Sequence, residues 1–137
     1  CMHQFMTRSS RRLTRAGNRI NQTFSGRHYK CVLAEGNYYL NAYKYNYRNP
    51  VTAGICQLAE EYPYSTLQGL IEPAKMKIAL TEDTTFISDP KGTLQWLNTT
   101  PDPAKLEAVR YGLKRPYFKF KKCKKTHRPL TNINDIL

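Results

Sequence analysis

The chain has 137 residues, of which 22 are Lys or Arg and 10 are Asp or Glu, a formal net charge of +12 that points to a polyanionic partner. That length supports one domain with a modest core and a tail, not two independent cores. At 40% hydrophobic and 12% aromatic the sequence is too rich in core-forming side chains for disorder throughout, and no apolar run approaches the ~18 residues of a membrane helix.

The charge is unevenly spread. Residues 1–30 carry net +7 with no acid, residues 31–104 carry net −3, and residues 105–137 carry net +8. Two basic ends therefore flank a mildly acidic, aromatic middle. Cys1, Cys31, Cys56 and Cys123 form no C-x-x-C pair, and His3, His28 and His127 do not join them in a ligand pattern. Free thiols in a reducing, cytoplasmic compartment are expected, with no zinc site or disulfide framework. A first residue of Cys rather than Met fits a fragment of a longer reading frame better than a lipoprotein.

In chain order, the opening segment predicts an amphipathic helix. Met2, Phe5, Met6 and Leu13 share one face at about 100° per residue, Arg8, Arg11, Arg12 and Arg15 share a neighbouring one, and Gly17-Asn18 supplies the stop. Four guanidinium groups on an acid-free stripe suit bidentate contact with phosphates. From Phe24 to Ala34 the alternation of Tyr29, Cys31 and Leu33 against His28, Lys30 and Val32 predicts a strand. Arg27 and Lys30 then flank the sheet. His28 on that strand is expected to be a hydrogen-bonding surface residue.

The tyrosine-rich stretch from Tyr38 to Arg48 predicts a helix ending at Asn49-Pro50, because proline disfavours helical geometry in the residue before it. Most of its tyrosines are expected in or beside the core, with at most two touching DNA. Tyr62-Pro63 predicts the start of another short helix. Thr81 to Thr84 and Asp89 to Gly92 read as turns or caps, Thr93 to Leu97 as a short helix whose Trp96 anchors a satellite core, and Pro101-Asp102-Pro103 as the start of a helix running to about Leu113. Lys114 to Lys125 interleaves bases with Tyr117, Phe118 and Phe120, offering phosphate contacts and flat rings in one extended segment.

Several blocks in order carry a family resemblance: the basic helix from Phe5 to Thr14, Phe24-Ser25-Gly26-Arg27 with Tyr29-Lys30, Tyr39-Leu40, Lys44-Tyr45, Asn49-Pro50-Val51-x-Ala53-Gly54 and Tyr62-Pro63-Tyr64-Ser65. Together they resemble the C-terminal half of the REP-associated tyrosine transposases, small single-strand insertion-sequence transposases of the HUH endonuclease superfamily. The resemblance implies an α+β fold over residues 1–71, the helix-strand-helix-helix portion of a ferredoxin-like domain, followed by a basic C-terminal extension over 72–137. It also implies a DNA partner, single-stranded or hairpin, no membrane association, and a chemistry in which a His-x-His pair holds Mg²⁺ or Mn²⁺ while a tyrosine attacks the phosphate. Homodimers occur in the family as do monomers.

Two departures bear on that chemistry. The sequence contains no His-x-His, so the metal pair of an intact member would lie upstream of Cys1, and no cofactor is expected in this chain. The family's nucleophilic tyrosine falls on Ser9, whose hydroxyl is a poorer nucleophile and leaving group than a phenol with a pKa of about 10. The expected function is a transposase-type DNA-binding protein that is truncated or inactive in strand cleavage. The alternative is a non-catalytic basic DNA- or RNA-binding module. The nucleic-acid contacts expected are Arg8, Arg11, Arg12, Arg15, Arg19, Arg27, Lys30, Lys44, Arg48, Arg115, Lys119, Lys121 and Lys122.

Overall fold

The computed structural model describes residues 2–18, 24, 29–34, 36–120, 122, 124, 126 and 137. The chain divides into two compact units, Cys1–Lys30 and Cys31–Leu137. The first contains α1, Met2–Ala16, whose last turn closes through the Gly17 N–H donating to the Leu13 carbonyl at 2.9 Å. Asn18 then adopts a positive φ of 47°, a conformation that Asn tolerates better than most residues. This agrees with the stop expected at Gly17-Asn18.

The second unit is helical: α2 Gly36–Thr52, α3 Thr66–Ile71, α4 Thr84–Ser88, α5 Pro90–Asn98 and α6 Pro103–Leu113, with single 3₁₀ turns at Ala59–Glu61 and Pro73–Lys75. Helix makes up 61% of the structure and strand 3%, with no sheet among the described residues. The expected α+β, ferredoxin-like sheet is therefore overturned. The alternation at 29–33 does turn Cys31 and Leu33 toward the core while Val32 stays exposed. Its pairing among the described residues, however, is one parallel bridge between Val32 and Tyr117, made by the Val32 N–H to Pro116 (2.8 Å) and the Phe118 N–H to Val32 (2.9 Å). A period of two specifies which side chains face inward; a sheet also needs further extended partners, and the middle of this chain folds into helices instead.

Local sequence explains the starts of α3 to α6. Asp89-Pro90 and Asp102-Pro103 place a carboxylate at the N-cap and a proline at the first helical position. Asp89 Oδ1 accepts from the Gly92 N–H at 2.9 Å, and Asp102 Oδ1 accepts from Ala104 and Lys105 at 2.8 and 3.1 Å. Asp83 caps α4 through the Phe86 N–H, and Ser65 caps α3 through the Leu67 N–H. Helix α2 runs past the expected stop at Pro50 by most of a turn. Pro50 lacks only its own donor, and the end is closed by the Ala53, Gly54 and Ile55 N–H groups bonding to Asn49, Val51 and Pro50, with Gly54 in the left-handed region at φ 71°.

Two apolar clusters hold this unit around α2. In one, Tyr38 packs with Val109, Phe118, Phe120 and Leu137. In the other, Tyr43 packs with Ala59, Leu67, Phe86 and Leu97, and Trp96 leans on it as the expected satellite anchor. Each fully buried Leu, Val or Phe contributes roughly 1.5–3 kcal/mol of transfer free energy. The boundary expected at residues 71/72 lies inside this unit, where Gly69 of α3 sits directly beneath Met76 and Leu80. Cys31 and Cys56 are free thiols. Among the described residues no helix is long and apolar enough to cross a membrane.

Candidate nucleic-acid interface

Helix α1 presents Arg8, Arg11, Arg12 and Arg15 to solvent on one stripe, and no acid occurs in the helix. Its neighbouring apolar face is also open, with Met2, Phe5 and Leu13 at least half exposed and no residue of the helix buried. Ser9 is half-buried on this helix, and Lys30 is exposed. Arg19, Arg27 and Lys121 lie outside the described residues, as does His28.

In the second unit three expected contacts converge. Helix α6 ends at Leu113, the Arg115 N–H turns back to the Gly112 carbonyl at 3.1 Å, and the chain then extends beside Val32. Along this extension Phe118 and Phe120 are buried while Tyr117 and Lys119 face solvent. Phe118 and Phe120 are therefore core residues packed on Tyr38, at centroid distances of 4.6 and 5.7 Å, rather than the free stacking rings expected from sequence. Their burial has a consequence for the surface. It fixes the alternate side chains of Tyr117 and Lys119 outward, and with Arg115, Lys122 and Tyr111 they line one groove of about 400 Å³. The Arg115 guanidinium lies 4.7 Å from the Tyr111 ring centroid and also donates to its hydroxyl, an arrangement that preorganises the fork. Among the described residues no carboxylate lines this groove.

Lys44 and Arg48, also expected to touch nucleic acid, are structural. Lys44 is 1% exposed, donates to the main-chain oxygen of Leu137 at 3.2 Å and lies 5.2 Å from the Trp96 ring centroid. Burial, reinforced by the nearby charge of Arg48, pulls its pKa down to about 8. Asn41 and Trp96 hold the same residue, accepting from the Leu137 N–H at 2.9 Å and donating to its oxygen at 2.6 Å. Arg48 uses Nη1 on the Leu97 and Asn98 carbonyls, at 3.1 and 2.8 Å, tying α2 to the end of α5. Sequence reasoning took both cations for surface groups. The available signal was the succession Tyr38, Asn41, Lys44 and Arg48, in steps of three, three and four residues, which sets all four on one inward face.

A second concave feature was not anticipated. The side of α2 that carries Tyr39, Tyr43, Asn46 and Tyr47 forms one wall of a cleft of about 610 Å³. Tyr62, Tyr64, Thr66 and Asp83 form the other, with Asn49 and Pro50 at one end. The Tyr43 hydroxyl donates to Asp83 Oδ2 at 2.9 Å, and Tyr47 shares a 3.0 Å hydrogen bond with Thr66. Burial, then the Asp83 carboxylate, pushes the Tyr43 phenol far above its usual range. The sequence blocks at 49–54 and 62–65, read locally as a helix end and the start of a short helix, both line this cleft. Among the described residues no group of three or more His, Cys, Asp or Glu side chains could hold a metal ion, so no catalytic step is derived through one.

No protein-family model, curated protein or solved structure matches the chain.

Proposed function

We propose that the protein binds nucleic acid, gripping single-stranded or hairpin DNA in the manner of a single-strand transposase, without cleaving it through its own residues. The observation that carries this reading is the Arg115–Lys119–Lys122 groove, in which three cations and two tyrosine rings converge with no carboxylate among the described lining residues. Cations neutralise phosphates and release counterions, while exposed rings stack on bases irrespective of sequence. The acid-free arginine stripe of α1 adds four further phosphate partners. The ordered blocks from Phe5 to Ser65 support the transposase-type relation, and DNA as the partner accords with a cytoplasmic protein. Strand cleavage is left out because the sequence has no His-x-His and carries Ser9 at the tyrosine position.

The test is the affinity of the full chain and of an Arg115→Ala/Lys119→Ala variant for a labelled single-stranded oligonucleotide. Loss of two phosphate contacts should weaken binding to all sequences alike and lower the log–log salt slope by about 0.7 per residue. Unchanged affinity and slope in the variant would refute the role of the groove.

A further inference from the structure

We infer that the tyrosine cleft of α2 receives one unstacked nucleobase, and that it prefers a base bearing an exocyclic amine to thymine. This rests on the nucleic-acid reading above and assigns a second task to a surface that reading leaves unused. The cleft and the groove divide the chemistry of a nucleotide. Among the described residues three cations line the groove, whereas the cleft has no Lys or Arg and contains Asp83, so a phosphate is unwelcome there. What the cleft offers instead is aromatic surface and neutral polar edges. The Tyr62 and Tyr64 rings meet edge to face at 5.7 Å, and Tyr64 is 86% exposed, leaving a free ring at the mouth. Across from them Asn46 and Asn49, both exposed, each offer an amide donor and acceptor.

The carboxylate sets the preference. Asp83 already accepts from the Tyr43 hydroxyl and the Phe86 N–H, but two carboxylate oxygens provide about four acceptor sites. Each remaining site seeks a donor, which cytosine, adenine and guanine supply through an amino group. Thymine carries carbonyls at its exocyclic positions and can donate only its ring N3–H, which is flanked by two oxygens that the carboxylate repels. An alkylammonium ion would also enjoy tyrosine faces and a carboxylate, yet it makes no use of the paired amides. The cleft's volume of about 610 Å³ lies in the range of small-ligand sites, roughly 300–1,000 Å³.

The experiment measures fluorescence anisotropy of labelled oligo-dC, oligo-dT and an abasic strand of equal length with the full chain at one salt concentration. The expected order is dC tighter than dT by about fivefold or more, with the abasic strand no tighter than dT. Tyr64→Ala, at an exposed position, should weaken dC binding about fivefold and leave the abasic strand unchanged. Asp83→Asn keeps a capping oxygen for α4 and should erase the dC-over-dT preference. Equal affinity for all three strands would overturn the base site while leaving the nucleic-acid reading intact. Failure of every strand to bind would overturn both, and choline competing with dC would assign the cleft to cations instead.

Discussion

Replacing Lys44 with Met keeps the length of a buried side chain while removing its titration, so it isolates the electrostatic cost of seating an ammonium beneath Trp96. In the folded chain the Lys44 pKa lies near 8, below its ordinary value of 10.5. Between those values the unfolded chain binds more protons than the folded one, so the stability of the native state rises with pH. A shift of this size corresponds to roughly 3 kcal/mol of destabilisation at neutral pH, of which roughly 2 kcal/mol is relieved by about pH 9.5. Above about pH 10 the sign reverses. Tyr43 and Tyr47 have raised pKa values from burial, so the unfolded chain loses protons that the folded one retains. Urea unfolding across this range should therefore show a maximum between about pH 9 and 10 in the wild type. In Lys44→Met the rise from neutral pH should vanish while the fall above pH 10 persists. A wild-type profile that is flat between pH 7.5 and 9.5, or a rise that survives in Lys44→Met, would refute the burial of a titrating ammonium.

Two further substitutions probe the scaffold behind the groove. A Cβ at Gly112 would stand 2.8 Å from two ring atoms of buried Phe118, so Gly112→Ala forces that ring to move. Overpacking of about 1–3 kcal/mol should outweigh the helix-propensity gain of about 1 kcal/mol, and adding Phe118→Leu should recover part of the loss in urea unfolding. Asp102→Ala removes the acceptor for two N–H groups at the start of α6 and should cost about 0.5–2 kcal/mol by the same measurement, whereas Asp102→Asn should cost little.

The helices were legible where local chemistry decides them. Asp102-Pro103 announces α6, and the spacing of Leu106, Val109 and Leu113 gives its inward side, which packs against Tyr38 and Phe118. The lack of a sheet among the described residues was not legible, because an alternating stretch such as 29–33 is equally consistent with a sheet strand and with an isolated bridge, and only distant partners distinguish the two. The basic aromatic segment hid a core for a related reason. Lys119 between Phe118 and Phe120 reads the same in a solvated tail and in a strand-like extension with one buried face. The choice was made by Tyr38, some eighty residues away. The candidate site was legible in part: the cations at 115, 119 and 122, expected as surface groups, are exposed and line one groove, while Lys44 and Arg48 were misplaced on the surface. The tyrosine cleft escaped notice because its two walls come from segments that sequence alone describes as a helix and two turns.

The central claim is that this chain holds nucleic acid through its cations, and the dependence of affinity on salt tests it most directly. Arg8, Arg11, Arg12, Arg15, Lys30, Arg115, Lys119 and Lys122 are exposed. If most of them meet phosphates of a single strand, log affinity should fall against log salt with a slope of about −4 to −6, a loss of roughly a thousandfold between 50 and 200 mM. A slope near zero over the same range would contradict the account.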